Sequence, residues 1–576
     1  MRKGHKAGHI RRQRLAALTL TAAVMIGTLA GCGNKKDSTG NTTDLVTIFT
    51  GSTTENIING PVSTEIEVVA EYDMAYDDVG GGVKYYKADV SDDMLPGTPE
   101  DIDAREYGEI VENKFIKVSE QPDSTFAADA DTASYTNIRG YINEYLKNDD
   151  LYNREKGIAG YIPNDAVRIE EMINYFSYDY AEPKDGEPFS YYSEIVDCPW
   201  NEEHKLLMLG LKTKDIATEN LKDNNFVFLI DSSGSMDMPN KLPLVKTAFT
   251  RLIDELDEND TVSIVTYAGS SEVVIDGAKG DEKQRLLDAL DGIFAYGSTD
   301  GSDGIITAYE IAESHFKKDG NNRVILATDG DLNVGITDKD ELTSLIDQKK
   351  RSGVYLSVMG FGTDNLKDDK LEALADNGNG HYAFIDDAFE AKRALVSEMG
   401  GNLETVAKDV KLNVNFNEAM VDSYRLIGYE NRVMSREDFD DDTKDGGEIG
   451  AGHRLTVLYE LDLTDSAVTG TAATSNDPSQ DFLTLSVRYK EPDEDASKLL
   501  TYEVGVEALN DTPSENIRWA EAVAAFGMIL RESEFKGTAD FEMVKDLASN
   551  IKAAENDEIK QEFIKLVEGV MFTEDK

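Results

Sequence analysis

The sequence is poor in cysteine, histidine and positive charge, and each shortage closes off a class of chemistry. Two cysteines, Cys32 and Cys198, in 576 residues are too few for a disulfide framework. The six histidines are scattered. His5 and His9 lie near the start, and His204, His315, His381 and His453 follow, none of them in a zinc motif or a recognisable triad. There is neither a Walker loop nor a nucleophile elbow. A hydrolase needs an activated nucleophile, or a metal-bound water with a base. Neither is legible here, so catalysis is the weakest reading. Lysine and arginine number 58 against 111 acids, for a formal net charge of −53. Such a surface repels nucleic acid and anionic lipid, because phosphates demand cationic partners. It suits a soluble protein in a milieu that holds cations. The longest apolar run, over 15–29, is shorter than the roughly 20 residues that a spanning helix needs.

What basic charge there is gathers at the N terminus. The first 31 residues hold six Lys/Arg (Arg2, Lys3, Lys6, Arg11, Arg12 and Arg14) and no acid. The apolar run follows, and then Leu29-Ala30-Gly31-Cys32. A basic start, an apolar stretch of about 15 residues and small residues at the cut describe a secretory signal over 1–31. Leu-Ala-Gly-Cys resembles the bacterial lipobox. That resemblance implies cleavage before Cys32, lipid on its thiol and amine, and an extracytoplasmic chain anchored to the bacterial cell membrane. An ordinary signal peptide with an incidental cysteine is the other reading. Cys198 would then be the remaining thiol, a small buried hydrophobe. Residues 32–104 are rich in Gly, Ser, Thr, Asp and Asn and short of apolar residues, which predicts a disordered acidic tether. A short strand near 65–70 is the one element expected in it.

Periodicity divides the rest. Residues 105–184 read as a helical N-terminal region, with helical apolar spacing over 133–146 and 166–176. Residues 129–134 lack the glycine and glutamate of a calcium loop and read as helix capping. Strand signals occupy 185–223, over 189–196 and 206–211. Across 224–401, short apolar runs at 226–230, 261–267, 324–327, 354–361 and 381–385 alternate with helices at 242–256, 305–316, 341–350 and 366–375. Fully apolar strands separated by helices mean a parallel sheet covered on both faces, a doubly wound, Rossmann-like α/β domain. Strand signals return over 402–510, and 511–576 is again helical. Two strand-rich pieces flanking an α/β unit predict one β-sandwich with that unit inserted in it.

The first α/β strand runs into Asp231-Ser232-Ser233-Gly234-Ser235. Open α/β sheets bind ligands at the carboxyl ends of their strands. This loop offers one carboxylate and two hydroxyls at alternating positions, which an extended loop turns to one side. Gly234 is expected to let the backbone turn between them. Gly297-Ser298-Thr299 precedes a helix and Thr328-Asp329-Gly330 ends a strand, each adding one oxygen ligand at the same edge. Hard oxygen donors with little charge suit Mg²⁺, with Ca²⁺ or Mn²⁺ as alternatives, and not zinc. Asp300 and Asp303 lie on the same rim and leave the choice of ion open; Asp237 and Asp331 read as solvated acids.

Asp-x-Ser-x-Ser, then Gly-x-Thr, then Thr-Asp-Gly resembles the metal-ion-dependent adhesion site of von Willebrand factor A domains. The resemblance implies that Asp231, Ser233, Ser235, Thr299 and Asp329 hold a divalent cation. One coordination position would stay open for an Asp or Glu of a protein partner. The segments 124–135, 165–171, 322–330, 424–432, 447–453 and 520–527 further resemble bacterial YfbK-type von Willebrand A proteins, over roughly 105–570. Three functions follow as alternatives: a surface module that captures a protein partner through the cation, an envelope scaffold with a structural cation site, and, least favoured, a metal-dependent hydrolase.

Overall fold

The computed structural model describes residues 105–128, 131–147, 151–216, 222–297, 301–330, 339–398, 405–468, 481–492, 494 and 496–574. The signal, Cys32, the tether with its strand near 65–70, Ser298–Asp300 with Thr299 among them, and Asp331 lie outside these residues. Two short strands come first, β1 (Ile116–Lys117) and β2 (Asp123–Ala127). Helices α1 (Ala133–Lys147), α2 (Leu151–Tyr161) and α3 (Ile169–Asn174) and the long strands β3 (Phe189–Asp197) and β4 (Lys205–Thr213) follow.

The α/β domain then runs through β5 (Asn224–Asp231), α4 (Leu242–Glu255), β6 (Thr261–Tyr267), β7 (Ser271–Lys279), α5 (Lys283–Asp291), α6 (Gly301–Ser314) and β8 (Asn321–Thr328). It closes with α7 (Lys339–Lys350), β9 (Tyr355–Phe361), α8 (Asp368–Asn377), β10 (Tyr382–Ile385) and α9 (Ala388–Lys392). Its sheet has the order β10-β9-β8-β5-β6-β7, parallel except for β7. The apolar run of β5 lacks alternation because both faces are covered. Phe226, Phe228 and Ile230 pack with α4 and α5, and Val227 and Leu229 pack with α6, α7 and α8. Phe228 stacks on Phe249 of α4 with centroids 4.2 Å apart, and burying such a side chain stabilises by about 1.5–3 kcal/mol. Strand β7 and helix α5 have no counterpart in the sequence reading. An edge strand with most of its side chains outward carries no apolar run.

After the α/β domain come β11 (Thr405–Phe416), β12 (Val421–Ile427), α10 (Arg436–Asp440), β13 (Gly447–Gly450), β14 (Arg454–Leu463), α11 (Asp465–Val468), β15 (Leu483–Lys490) and β16 (Lys498–Val504). One sheet has the order β1-β12-β14-β4-β3. The other has β13-β11-β15-β16, with β2 paired to β11. Strands from before and after the α/β domain therefore share a sheet. Leu207, Leu209 and Leu211 of β4 lie opposite Tyr459, Val457 and Leu455 of β14. These side chains pack with Leu412, Val414, Leu485 and Val487 of the second sheet. The α/β domain is thus inserted between β4 and β11 of a β-sandwich. The segment 105–184 is not purely helical, since β1 and β2 join the two sheets. The polar stretch 438–452 holds β13.

The other face of the first sheet is covered by helices. Leu206 and Met208 of β4 and Leu458 of β14 pack with α1, α3, α12 (Glu515–Leu530), α13 (Phe541–Ser549) and α14 (Glu558–Glu574). Phe176, Trp519, Phe526 and Phe563 meet edge-on at its centre, with centroids 5.2–5.5 Å apart. Cys198 is buried in this core as a free thiol, and burial pushes its pKa up. Asp131 does not cap α1. Its carboxylate accepts from Tyr382 N at 2.8 Å, while the start of α1 is held by Glu171, which accepts from Ser134 N at 2.8 Å.

Candidate metal centre

β5 and β8 pair in parallel with Ile230 opposite Ala327, so Asp231 and the Thr328-Asp329 pair emerge at the same sheet edge. The strand order reverses here, with β6 on one side of β5 and β8 on the other. Asp231 and Asp329 are fully buried, Ser233 is buried and Ser235 is partly exposed. Asp231 Oδ1 accepts from Ser233 N at 2.9 Å, which curls the loop back over the strand end. Its Oδ2 accepts from Thr328 Oγ1 at 2.9 Å and from Tyr267 OH at 3.3 Å. Ser233 Oγ and Ser235 Oγ lie 3.0 Å apart.

The loop is not extended throughout. Ser233 is extended, and Gly234–Met236 then form a 3₁₀ turn with Met236 buried as an anchor. Gly234 does not take a positive φ. It is needed for a close approach, since a Cβ there would lie 3.3 Å from Gly297 O. Gly234 N donates to that same oxygen at 3.1 Å, and Tyr296 N donates to Ser232 O at 2.7 Å. The backbone two residues before Thr299 is thereby tied to the Asp231 loop. Asp303 also holds a strand end. Its Oδ2 accepts from Ser271 N and Oγ at 3.2 and 2.9 Å, which fixes the start of β7. Asp237 is exposed.

One partner of the site escaped sequence reading. Lys241, immediately before α4, is fully buried, and its Nζ lies 3.0 Å from Asp329 Oδ2. It also donates to Asn365 Oδ1 at 2.9 Å and pairs at 2.8 Å with Asp364, whose side chain is half exposed. Gly362 makes room for it, at a φ of 82° where a Cβ would fall on Lys241 Cε. A lysine ahead of an amphipathic helix ordinarily reads as solvated, and no local pattern marks this one. The buried charges at the edge are then two negative and one positive. Burial, followed by the charge of Asp329, pushes the Asp231 carboxyl up to about 6. Two buried carboxylates beside paired hydroxyl oxygens form a donor set that a hard divalent cation fits.

Comparison with known proteins agrees with this architecture. The family model described as von Willebrand factor type A domain matches residues 225–398. The model described as Uncharacterized protein YfbK, C-terminal, matches residues 401–571. One described as von Willebrand factor matches 101–208. The Uncharacterized protein YfbK of Escherichia coli strain K12 is 38% identical over 478 residues, covering 80% of each chain. Human inter-alpha-trypsin inhibitor heavy chain H4 is 29% identical over 165 residues, 27% of this chain and 17% of that one. Among solved structures, a von Willebrand factor type A protein from Catenulispora acidiphila aligns with 66% of this chain and 89% of its own at 17% identity, with a TM-score of 0.40. This chain belongs to the YfbK-type family of von Willebrand factor A domain proteins.

Proposed function

We propose that the protein is a lipid-anchored, extracytoplasmic binding module that holds a protein partner through a divalent cation. Asp231, Ser233, Ser235, Thr299 and Asp329 bind the ion, Mg²⁺ first among the candidates, and Cys32 carries the lipid. The observation that carries this reading is the meeting of Ser233 Oγ and Ser235 Oγ at 3.0 Å beside the buried carboxyl of Asp231. The charge count supports it. Among the fully buried groups, with half-exposed Asp364 left to solvent, two carboxylates and one ammonium leave one net negative charge. A divalent cation turns this into one net positive charge, and a carboxylate of the partner neutralises it. Binding is favoured over catalysis because none of the histidines of the chain falls in a zinc motif or a recognisable triad.

Mg²⁺ or Ca²⁺ is expected to raise the melting temperature of the full chain, as any ligand of the native state does. Asp231→Ala is expected to abolish that rise, and an unchanged rise would remove the site. Crosslinking pull-downs from cells with and without chelator separate the roles. Partner capture that chelator abolishes supports the adhesion reading. Capture that chelator leaves intact, with cation stabilisation retained, assigns the ion a structural role.

A further inference from the structure

The α/β domain, the sandwich and the helical core meet around a cavity of about 360 Å³. Among the described residues none that lines it is Asp or Glu, although 111 of the 576 residues of the chain are acidic. Lys392, Arg393, Arg454, His381 and His453 line it instead. None of the proposed cation ligands lines it, so it is a separate site. Two of the family-like segments that the cation site leaves unexplained converge here, 124–135 through Thr132 and 447–453 through its last three residues.

Not every cation in the wall is available. Arg393 is answered by Glu390 at 2.6 Å and lies over the ring of Tyr175. His381 Nδ1 stands 3.0 Å from Asp131. Arg454 and Lys392 are different, as neither forms an ion pair among the described residues. Arg454 Nη1 reaches only the carbonyl of Gly452, at 3.3 Å, and its Nε is buried with no hydrogen-bond partner among the described residues. An unpaired guanidinium nitrogen held out of water is unfavourable unless something completes it. His453 stands next to Arg454; burial first, and then His381 and Arg454, lower its pKa to about 4. It is therefore neutral near pH 7 and leaves room for an anion. The remaining wall mixes polar Thr132, Asn174 and Ser177 with apolar Phe176, Ala451 and Ile559, and Phe389 is 43% exposed at the cavity, where it offers a face to a ligand.

We propose that this cavity binds a small organic anion, with its phosphate or carboxylate on Arg454, Lys392 and His453 and its apolar body against Phe389. The volume lies in the range of small-molecule sites, about 300–1,000 Å³. Guanidinium and ammonium donors suit an oxyanion head, and against the negative field of this chain a pocket free of carboxylates is the place where such an anion can be held.

Isothermal titration of the full chain with phenyl phosphate, benzoate and inorganic phosphate, in EDTA, tests it. Phenyl phosphate or benzoate is expected to bind saturably, and inorganic phosphate at least tenfold more weakly than phenyl phosphate. Arg454→Gln is expected to weaken binding at least tenfold. Lys392→Gln, at an exposed position, is expected to weaken it severalfold, and Phe389→Ala to weaken phenyl phosphate more than inorganic phosphate. The absence of saturable binding by either aromatic anion would overturn the proposal. So would equal affinity for inorganic phosphate and phenyl phosphate, or affinity unchanged in both Arg454→Gln and Lys392→Gln. Binding that appears only when divalent cation replaces EDTA assigns the anion to the cation site and overturns it as well.

Discussion

Lys241 and Asp329 are both fully buried, 3.0 Å apart, and the ammonium also pairs with half-exposed Asp364 at 2.8 Å. Breaking such a pair from one side leaves an uncompensated buried charge and costs about 3–5 kcal/mol. Lys241→Met is therefore expected to lower the unfolding free energy by that order. Mg²⁺ is expected to restore part of the loss, because a cation beside Asp329 supplies the missing charge. Urea unfolding with and without Mg²⁺ measures both effects, and a variant indifferent to Mg²⁺ would argue against an ion next to Asp329. Gly362→Ala attacks the same pair from the other side. A Cβ at a φ of 82° is strained, and it falls on the lysine stem. The expected destabilisation is about 1–2 kcal/mol from the backbone alone, more if Lys241 is displaced, and the same urea series reads it out.

Individual elements were legible in the sequence to the extent that their burial repeats. β15 alternates buried and part-buried residues along its whole length, and β5 is buried at all but its first residue, so a period-2 pattern and a solid apolar run announce them. β2, β7 and β13 are short, or lie at a sheet edge, and carry no such pattern; they form because a neighbouring strand offers them a ladder. α12 was visible as an apolar helix, but the state of its one buried acid was not. Glu521 is 2% exposed, and burial pushes its pKa up to about 8, with Arg518 opposing and Glu194 adding to the rise. The folded state thus binds a proton that the unfolded chain releases near pH 4.5. Stability from this group is full below about pH 4.5 and falls as pH rises through the window to about 8, by at most about 1.4 kcal/mol per pH unit. Glu521→Gln is expected to remove that slope and to be more stable than the parent at pH 8.5. Urea midpoints at pH 5, 7 and 8.5 check this, and parallel curves for the two proteins would contradict it.

At the scale of the molecule, segments far apart in the chain share cores. The helical core takes Tyr135 to Tyr180 from one end of the described chain and Ile517 to Val570 from the other, closed over the face of a sheet whose strands also come from both sides of the α/β domain. Both tryptophans of the chain, Trp200 and Trp519, are buried in it. Deleting 512–576 strips Trp519, Phe526 and Phe563 from that core and uncovers Leu206, Met208 and Leu458. The truncated chain is expected to lose its cooperative tryptophan transition, with Trp200 emission shifted to the red and rapid proteolysis of 133–180. A retained transition would make the C-terminal helices accessory.

The sequence by itself determined what local order can express: the period of strands and helices, the α/β domain, and the oxygen-bearing loop of Asp231, Ser233 and Ser235 at the end of its first strand. Those features repeat or cluster within a few residues, so propensity and patterning report them. Only the tertiary structure decided that Lys241 answers Asp329, that Asp303 fixes the start of β7, and that Arg454, Lys392 and His453 line one cavity. Each of these depends on which side chains meet across tens or hundreds of residues. Burial, which gives such a meeting its electrostatic weight, belongs to the packed molecule and to no segment of the chain.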